Sequence, residues 1–125
     1  MKEIFNDEEQ LYRKVIMKPD YWKTETGRPT SAVFKDSKGV SVDRDGGRND
    51  SEVTASFIQR FGDENIRSIV SVTAQYCCEI DTHLVYAPVE GNEYHALIHD
   101  SPDKITLRSS KAKKLAENCK VVYKG

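Results

Sequence analysis

Apolar residues in this sequence occur only in short runs, and Gly, Pro or clusters of polar residues end each run. A bilayer-spanning helix needs about 20 consecutive apolar residues, so we predict no membrane span. Runs this short instead suit strands and amphipathic helices that each bury one face. The chain has 125 residues, a length that predicts a single domain over residues 1–125.

The β-branched and alternating segments predict a mainly antiparallel sheet. The predicted strands are 12–17, 31–34, 40–42, 66–72, 84–89, 94–98 and 120–123. The polar, Gly-closed segment 35–39 predicts a hairpin connection, and 90–93 has the composition of a turn. Residues 20–30 are expected to form an extended loop, because they contain Gly27 and Pro29.

Two segments have helical periodicity. Apolar residues recur at helical spacing over 50–61, and Gly62 ends the pattern. A second amphipathic pattern runs from Ser101 to about Asn118. For residues 73–81 a helix is the weaker of two alternatives. Strands grouped with only two clear helices predict a small α+β domain with a mainly antiparallel sheet and two principal helices.

The charges nearly cancel but are unevenly distributed. The chain has 19 Lys and Arg against 20 Asp and Glu, so it lacks the basic excess typical of a duplex-binding domain. Residues 1–48 carry +1, 49–100 carry −7 and 101–125 carry +5. The basic residues of the last segment are Lys104, Arg108, Lys111, Lys113, Lys114, Lys120 and Lys124. This segment can contact a phosphate backbone or an acidic protein surface, and an ordinary solvated helix face is the favoured alternative.

The cysteines indicate a reducing compartment. Cys77, Cys78 and Cys119 form an odd set with two adjacent members, which predicts free thiols and a cytoplasmic protein. We expect all three to be buried as small apolar side chains. No C-x-x-C pair is present, and His83, His95 and His99 are the only other soft donors besides the cysteines, so neither a metal site nor a cofactor is predicted.

Candidate ligand-binding residues concentrate between residues 13 and 44. They are Arg13, Arg28, Ser31, Ser41, Asp43 and Arg44. Alternation along a strand places Ser41 and Asp43 on one face, and the alternative reading is an ordinary half-exposed strand. An Arg within a strand needs a solvated or paired guanidinium, so we expect Arg13 to share a cleft with these two residues. An anion site of this kind requires Arg13, Arg28 and Arg44 to surround one hollow.

His95 is the candidate catalytic base, because it lies within a predicted strand, where an unpaired imidazole would be costly to bury. The alternative is a structural histidine bonded to a neighbouring carbonyl or carboxylate. The sequence has no G-x-S-x-G elbow, P-loop, Rossmann fingerprint or H-E-x-x-H motif. Whether the protein is an enzyme is therefore left open.

Four segments in order resemble a set of small, mostly uncharacterised bacterial proteins. They are LYRKV at 11–15, GRPTSAVF at 27–34, SVDR at 41–44 and HALI at 95–98. The resemblance implies a bacterial cytosolic protein without a settled activity. The chain departs from the family pattern after the histidine strand, where His99 and Asp100 stand in place of a glycine.

A fainter similarity is to domains with the ADP-ribosyltransferase-like architecture. In those domains an arginine on the first strand, a serine on a following strand and a later glutamate bind NAD. Arg13, Ser31 or Ser41, and Glu79 or Glu93 would correspond to the three. This similarity is an analogy at the level of fold.

Three functions follow from these patterns. The first is an accessory or interaction protein that binds a protein partner or self-associates, and it is favoured because it requires no further chemistry. The second is a protein that binds or processes an anionic small molecule, such as a nucleotide or NAD, through the arginines and serines. The third and least favoured is weak nucleic-acid binding through the basic C-terminal helix.

Overall fold

Alternating apolar and polar residues build the sheet of the computed structural model, which describes residues 2–125. In chain order the strands are β1 (Gln10–Ile16), β2 (Trp22–Lys23), β3 (Arg28–Pro29), β4 (Val40–Arg44), β5 (Ile66–Thr73), β6 (His83–Tyr86), β7 (His95–His99) and β8 (Lys120–Lys124). Six of them form one sheet in the order β6-β7-β4-β1-β5-β8. Every neighbouring pair is antiparallel. Strands β2 and β3 form a separate two-stranded ribbon.

Within residues 2–125, three α-helices accompany the sheet: α1 (Asp50–Phe61), α2 (Ala74–Glu79) and α3 (Ser109–Asn118). Helix α1 begins at a capping box in which Asn49 and Glu52 satisfy each other's backbone N–H groups. It ends at Gly62, whose φ of 82° suits a residue without a Cβ. None of the helices in residues 2–125 is long and apolar enough to cross a membrane.

The two faces of the sheet are covered differently. Leu11 and Val15 pack on one face against α2, α3 and the 31–34 turn, and we call this the α3 face. Tyr12 points to the opposite face, the α1 face, where it packs with Val53 and Phe57 of α1. Helix α1 lies over the β1, β5 and β8 half of the sheet. On the α1 face, β4 and β7 are therefore not covered by this helix.

The structure confirms the predicted α+β class, with a mainly antiparallel sheet and two principal helices. The helix predicted at 50–61 is confirmed, and so is the helical alternative for 73–81, which is α2. Segments 84–89 and 94–98 form the antiparallel pair β6 and β7, although β6 ends at residue 86.

The prediction of a strand at 31–34 is wrong, because this segment is a 3₁₀ helix, Ser31–Phe34. A strand would point Val33 and Phe34 to opposite faces. The helical turn instead buries both side chains in the core of the α3 face. The hairpin connection predicted at 35–39 consequently joins a helical turn to β4.

The last helix begins at Ser109 and not near Ser101 as predicted. The Ser101 hydroxyl accepts hydrogen bonds from the backbone N–H groups of Asp103 and Lys104, which forms a tight turn. The start signal in the sequence therefore belongs to this turn, and the helix follows eight residues later.

All three cysteines are free thiols. Cys77 and Cys119 are buried as expected, and burial raises their pKa values to about 12 and about 11. The expectation is wrong for Cys78, which is exposed. The short helix α2 turns adjacent residues in different directions, so only one of the two neighbouring thiols faces the core.

Candidate functional site

A groove opens on the α1 face of the sheet, beside the C-terminal half of α1. Its floor is formed by β1, β4 and β7, one wall by α1, and the other wall by the loop between β6 and β7. The lining includes Lys14, Ser41, Asp43, Phe57, Arg60, Phe61, Val89, Glu90, Gly91, Asn92 and His95. Its volume is about 370 Å³, in the range of small-molecule sites. We call it the open-face groove.

Asp43 joins the walls of the open-face groove. Its side chain is buried, and its carboxylate accepts hydrogen bonds from Arg60 Nη2 at 2.5 Å and Asn92 Nδ2 at 2.9 Å. One strand residue thus holds α1 and the β6–β7 loop in place. Because both of its oxygens are already bonded, Asp43 has a structural role here and not that of a free acceptor.

His95 and Ser41 lie together on the floor of the groove. His95 Nδ1 is 2.7 Å from the Ala87 carbonyl oxygen, so Nδ1 carries the proton and donates it. In the neutral ring Nε2 is then an acceptor, and it lies 3.3 Å from Ser41 Oγ. The Ala87 carbonyl therefore fixes the tautomer of His95, and the Ser41 hydroxyl can donate a hydrogen bond to Nε2 of this ring.

Lys14 brings an unpaired positive charge to the groove. Its Nζ lies 4.1 Å from the centroid of the Phe61 ring, and it has no ion pair with any residue from 2 to 125. Burial lowers the pKa of Lys14, and so do the charges of Arg13 and Arg60, while Asp43 opposes the shift. The ammonium group is thus partly desolvated, with an aromatic ring beside it but no counterion within residues 2–125.

The structure brings Ser41, Asp43 and His95 into this groove but leaves Arg13 out of it. Arg13 points to the α3 face, where its Nε donates to the Val33 carbonyl at 2.8 Å. Its Nη1 donates to the backbone carbonyl of Ser41 at 2.9 Å. The prediction that Arg13 shares a cleft with Ser41 and Asp43 is therefore wrong.

Arg28 and Ser31 line a different hollow, beside the end of α3. Arg28 Nη2 donates to the carbonyls of Ala116 at 3.0 Å and Cys119 at 2.6 Å. These carbonyls belong to the last turn of α3 and its end, where a basic side chain is favourable. Arg28 thus acts as a helix cap.

Arg44 is buried in a third place and holds the N-terminal segment. Its guanidinium binds the Glu9 carboxylate and the backbone carbonyls of Lys2 and Ile4, and it lies 4.0 Å from the centroid of the Phe5 ring. Arg13, Arg28 and Arg44 therefore do not surround one hollow as predicted. Each guanidinium is bonded to groups of a different segment.

Two positively charged side chains of the groove, Lys14 and Arg60, were missed from the sequence, and so was the amide of Asn92. Lys14 could have been found from the same alternation of strand residues between the two faces of the sheet that placed Ser41 and Asp43 on one face. Tyr12 pairs with Asp43 in the β1–β4 register, so the neighbour that shares their face is Lys14 and not Arg13. Arg60 and Asn92 come from a helix and a loop, for which strand alternation gives no signal.

The basic C-terminal segment is partly occupied by contacts within the chain. Lys111 is buried, and its Nζ donates to the carbonyls of Asp81 and Asp100. Lys120 Nζ donates to the Asp50 carboxylate at 2.8 Å. Arg108 Nη2 donates to the Asp100 carboxylate at 3.1 Å, so three of the seven basic groups are directed at the protein itself.

Two further observations concern cofactor chemistry. Within residues 2–125, no three His, Cys, Asp or Glu side chains lie close enough together to hold a metal ion. Arg13 and Ser41, which would correspond to an NAD-binding pair, point to opposite faces of the sheet.

No protein-family model, no curated protein and no solved structure matches this chain.

Proposed function

We propose that the open-face groove binds a small organic anion with a phosphate or carboxylate group. The observation that carries the proposal is the ammonium of Lys14, which is partly desolvated and has no counterion in residues 2–125. A cation in that position costs free energy, and a bound anion would offset the cost. Anion binding, which the sequence suggested for Arg13, Arg28 and Arg44, is thereby proposed for Lys14 and Arg60 instead.

Neighbouring groups favour the same ligand. Arg60 uses Nη2 on Asp43 and Nε on the Ser56 carbonyl, and its Nη1, which makes no hydrogen bond within residues 2–125, can donate to a ligand. The Ser41 hydroxyl is exposed on the groove floor and can also donate. Among residues 2–125, Glu90 is the only carboxylate of the lining besides Asp43, and it is exposed on the loop.

The test is a titration with inorganic phosphate, succinate, AMP and NAD, followed by thermal unfolding. At least one of these anions is expected to raise the unfolding temperature by mass action on the folded state. Lys14→Met should weaken that binding at least tenfold, which is about 1.4 kcal/mol. The matched control is Lys113→Met, which removes an exposed lysine on α3.

Equal losses in the two variants would reject the groove as the site. A loss confined to Lys113→Met would favour the basic C-terminal segment, and binding there should fall steeply with salt. An unchanged unfolding temperature with all four anions would reject the proposal as a whole.

A second candidate function is self-association through the free edge of β6. The backbone N–H of Ala87 donates to the His95 carbonyl at 3.1 Å, and alternation then turns the backbone groups of Leu84 and Tyr86 away from β7. Within residues 2–125, the backbone N–H and C=O groups of Leu84 and Tyr86 make no hydrogen bond to the backbone of another element on the outer side of β6. Such an edge can pair with another strand.

The two edges of the sheet differ in a way that favours this second candidate. Strand β8 at the other edge carries Lys120 and Lys124, and charged residues discourage pairing of edges. Strand β6 has no Lys, Arg, Asp, Glu or Pro. A second copy of this chain, presenting the same edge in antiparallel orientation, is the proposed partner.

We expect light scattering to show that the wild-type protein forms dimers and that the dimer fraction rises with protein concentration. Val85→Lys places a charge in the middle of the β6 edge and should yield monomers, whereas Val89→Lys, at an exposed loop position, should leave the dimer intact. A wild-type protein that stays monomeric over a roughly 100-fold range of concentration would exclude this second function.

A further inference from the structure

We infer that Ser41 and His95 form a nucleophile and general base that accept an acyl group from an ester, and that the preferred acyl group is itself an anion held by Lys14. The preference for an anionic acyl group rests on the proposed function of the groove. The acyl transfer itself rests on an independent observation, the contact between the hydroxyl and the imidazole.

The contact has the three parts that an activated serine needs. The nucleophile is Ser41 Oγ, the base is His95 Nε2 at 3.3 Å, and the Ala87 carbonyl orients the base through Nδ1–H at 2.7 Å. Distances of this kind are often loose before substrate binds and tighten with it. Asp43 pairs with His95 in the β4–β7 register, but its carboxylate is bonded to Arg60 and Asn92 and does not serve as the orienting group.

Ser41 is held on a rigid support. Its backbone carbonyl accepts a hydrogen bond from Arg13 Nη1 at 2.9 Å, and its strand pairs with β7 through Leu97. A nucleophile on the central part of a sheet is positioned more precisely than one on a loop. Arg13, predicted from the sequence to bind ligand, is thus a positioning residue behind the nucleophile.

Residues that carry donor groups for a developing oxyanion line the same groove. The backbone N–H groups of Glu90 and Gly91 make no hydrogen bond within residues 2–125, and both residues line the groove. Arg60, whose Nη1 makes no hydrogen bond within residues 2–125, lines the opposite wall. Donors that lie about 2.7–3.1 Å from the carbonyl oxygen of the bound ester would stabilise the charge that forms on it.

The reaction proceeds in two balanced steps. Ser41 Oγ attacks the ester carbonyl carbon, its proton passes to His95 Nε2, and the bond to the alcohol oxygen breaks as that oxygen takes the proton from the imidazole. Water then attacks the acyl-serine, His95 accepts a proton from this water, and the proton returns to Ser41 Oγ as the carboxylic acid leaves. No oxidant, metal or further reactant is needed.

The test uses two esters with the same leaving group, p-nitrophenyl acetate and p-nitrophenyl hemisuccinate. We expect a burst of about one p-nitrophenolate per chain, with a mass increase of one acyl group located on Ser41. Ser41→Ala should abolish this label, and His95→Gln should slow acylation at least 100-fold, within the range of general-base catalysis. Ser56→Ala is the matched control, because Ser56 is a half-buried serine beside Arg60 on α1.

The design separates the two claims. Hemisuccinate should acylate the protein at least tenfold faster than acetate, and Lys14→Met should remove only that advantage. If succinate binds in the Lys14-dependent way described above but neither ester labels Ser41, the acyl-transfer proposal is overturned while anion binding stands. If Ser41 is labelled equally by both esters, the nucleophile is upheld and the anionic substrate class is rejected. Labelling that Ser56→Ala reduces as much as His95→Gln does would overturn the assignment of the base.

Discussion

Replacing Arg44 by leucine is expected to lower the free energy of unfolding by about 3–5 kcal/mol. The guanidinium is almost completely buried, at 3% exposure, and it is paired with Glu9, whose side chain is 9% exposed. Without Arg44, the Glu9 carboxylate is left in a buried site without its partner, and the carbonyls of Lys2 and Ile4 lose their donor. An uncompensated buried charge is among the most destabilising consequences of a single substitution.

The measurement is urea-induced unfolding of Arg44→Leu beside Arg48→Leu. Arg48 is a neighbouring arginine that donates to the carbonyls of Arg44 and Asp45 and has no ion-pair partner in residues 2–125. Its loss should cost about 1 kcal/mol. The double variant of Arg44→Leu with Glu9→Leu should recover part of the loss, because it removes both charges. Equal losses for the two arginines would contradict a buried ion pair at Arg44.

The second large effect is expected for Asp100→Asn, with a loss of about 3 kcal/mol in unfolding free energy at neutral pH. Asp100 is fully buried ahead of α3. Its carboxylate accepts from the backbone N–H of Arg108 at 2.9 Å and from Arg108 Nη2 at 3.1 Å, and the Lys111 ammonium lies 3.7 Å away. The substitution leaves the buried Lys111 without its counterion.

Acid should remove the same contribution from the wild-type protein. Burial alone would raise the pKa of Asp100, but the hydrogen bonds from Arg108 and the charges of Lys111 and Arg108 outweigh it, so the pKa lies below its usual 3.8. A carboxyl whose pKa is lower in the folded state stabilises the fold above 3.8 and loses this effect as the pH falls through the folded value. Urea unfolding at pH 7 and pH 3 should therefore show the gap between wild type and Asp100→Asn becoming smaller in acid. A gap of constant size would contradict the ionised carboxylate.

Local periodicity accounts for the parts of the fold that the sequence predicts. The helix at 50–61 has both its periodic face and its flanking caps within a short segment, and the β-branched segment that forms β5 has its strand pattern within a few residues. The 31–34 segment misled the prediction because its burial depends on α3, which is distant in the chain. Two adjacent buried side chains, Val33 and Phe34, fit a helical turn better than a half-covered strand.

For the candidate site, alternation identified the positions on one strand but not their partners. Ser41 and Asp43 were placed on one face correctly, and His95 lies beside them because β7 pairs with β4. The arginines were misassigned because a guanidinium can satisfy distant backbone carbonyls, as Arg28 does at the end of α3. Contacts between residues so far apart along the chain leave no local pattern in the sequence.

The proposed anion site requires that Lys14 holds an unpaired charge in the open-face groove until an anion binds there. The most direct measurement is the NMR titration of lysine side chains labelled with ¹³C, with Lys14 assigned from the signal lost in Lys14→Arg. In the free protein the pKa of Lys14 should lie below the usual 10.5, and the phosphate, succinate or nucleotide that binds should raise it, because a neighbouring negative charge favours the protonated form. A pKa of Lys14 that stays at 10.5 with and without each anion would contradict the account.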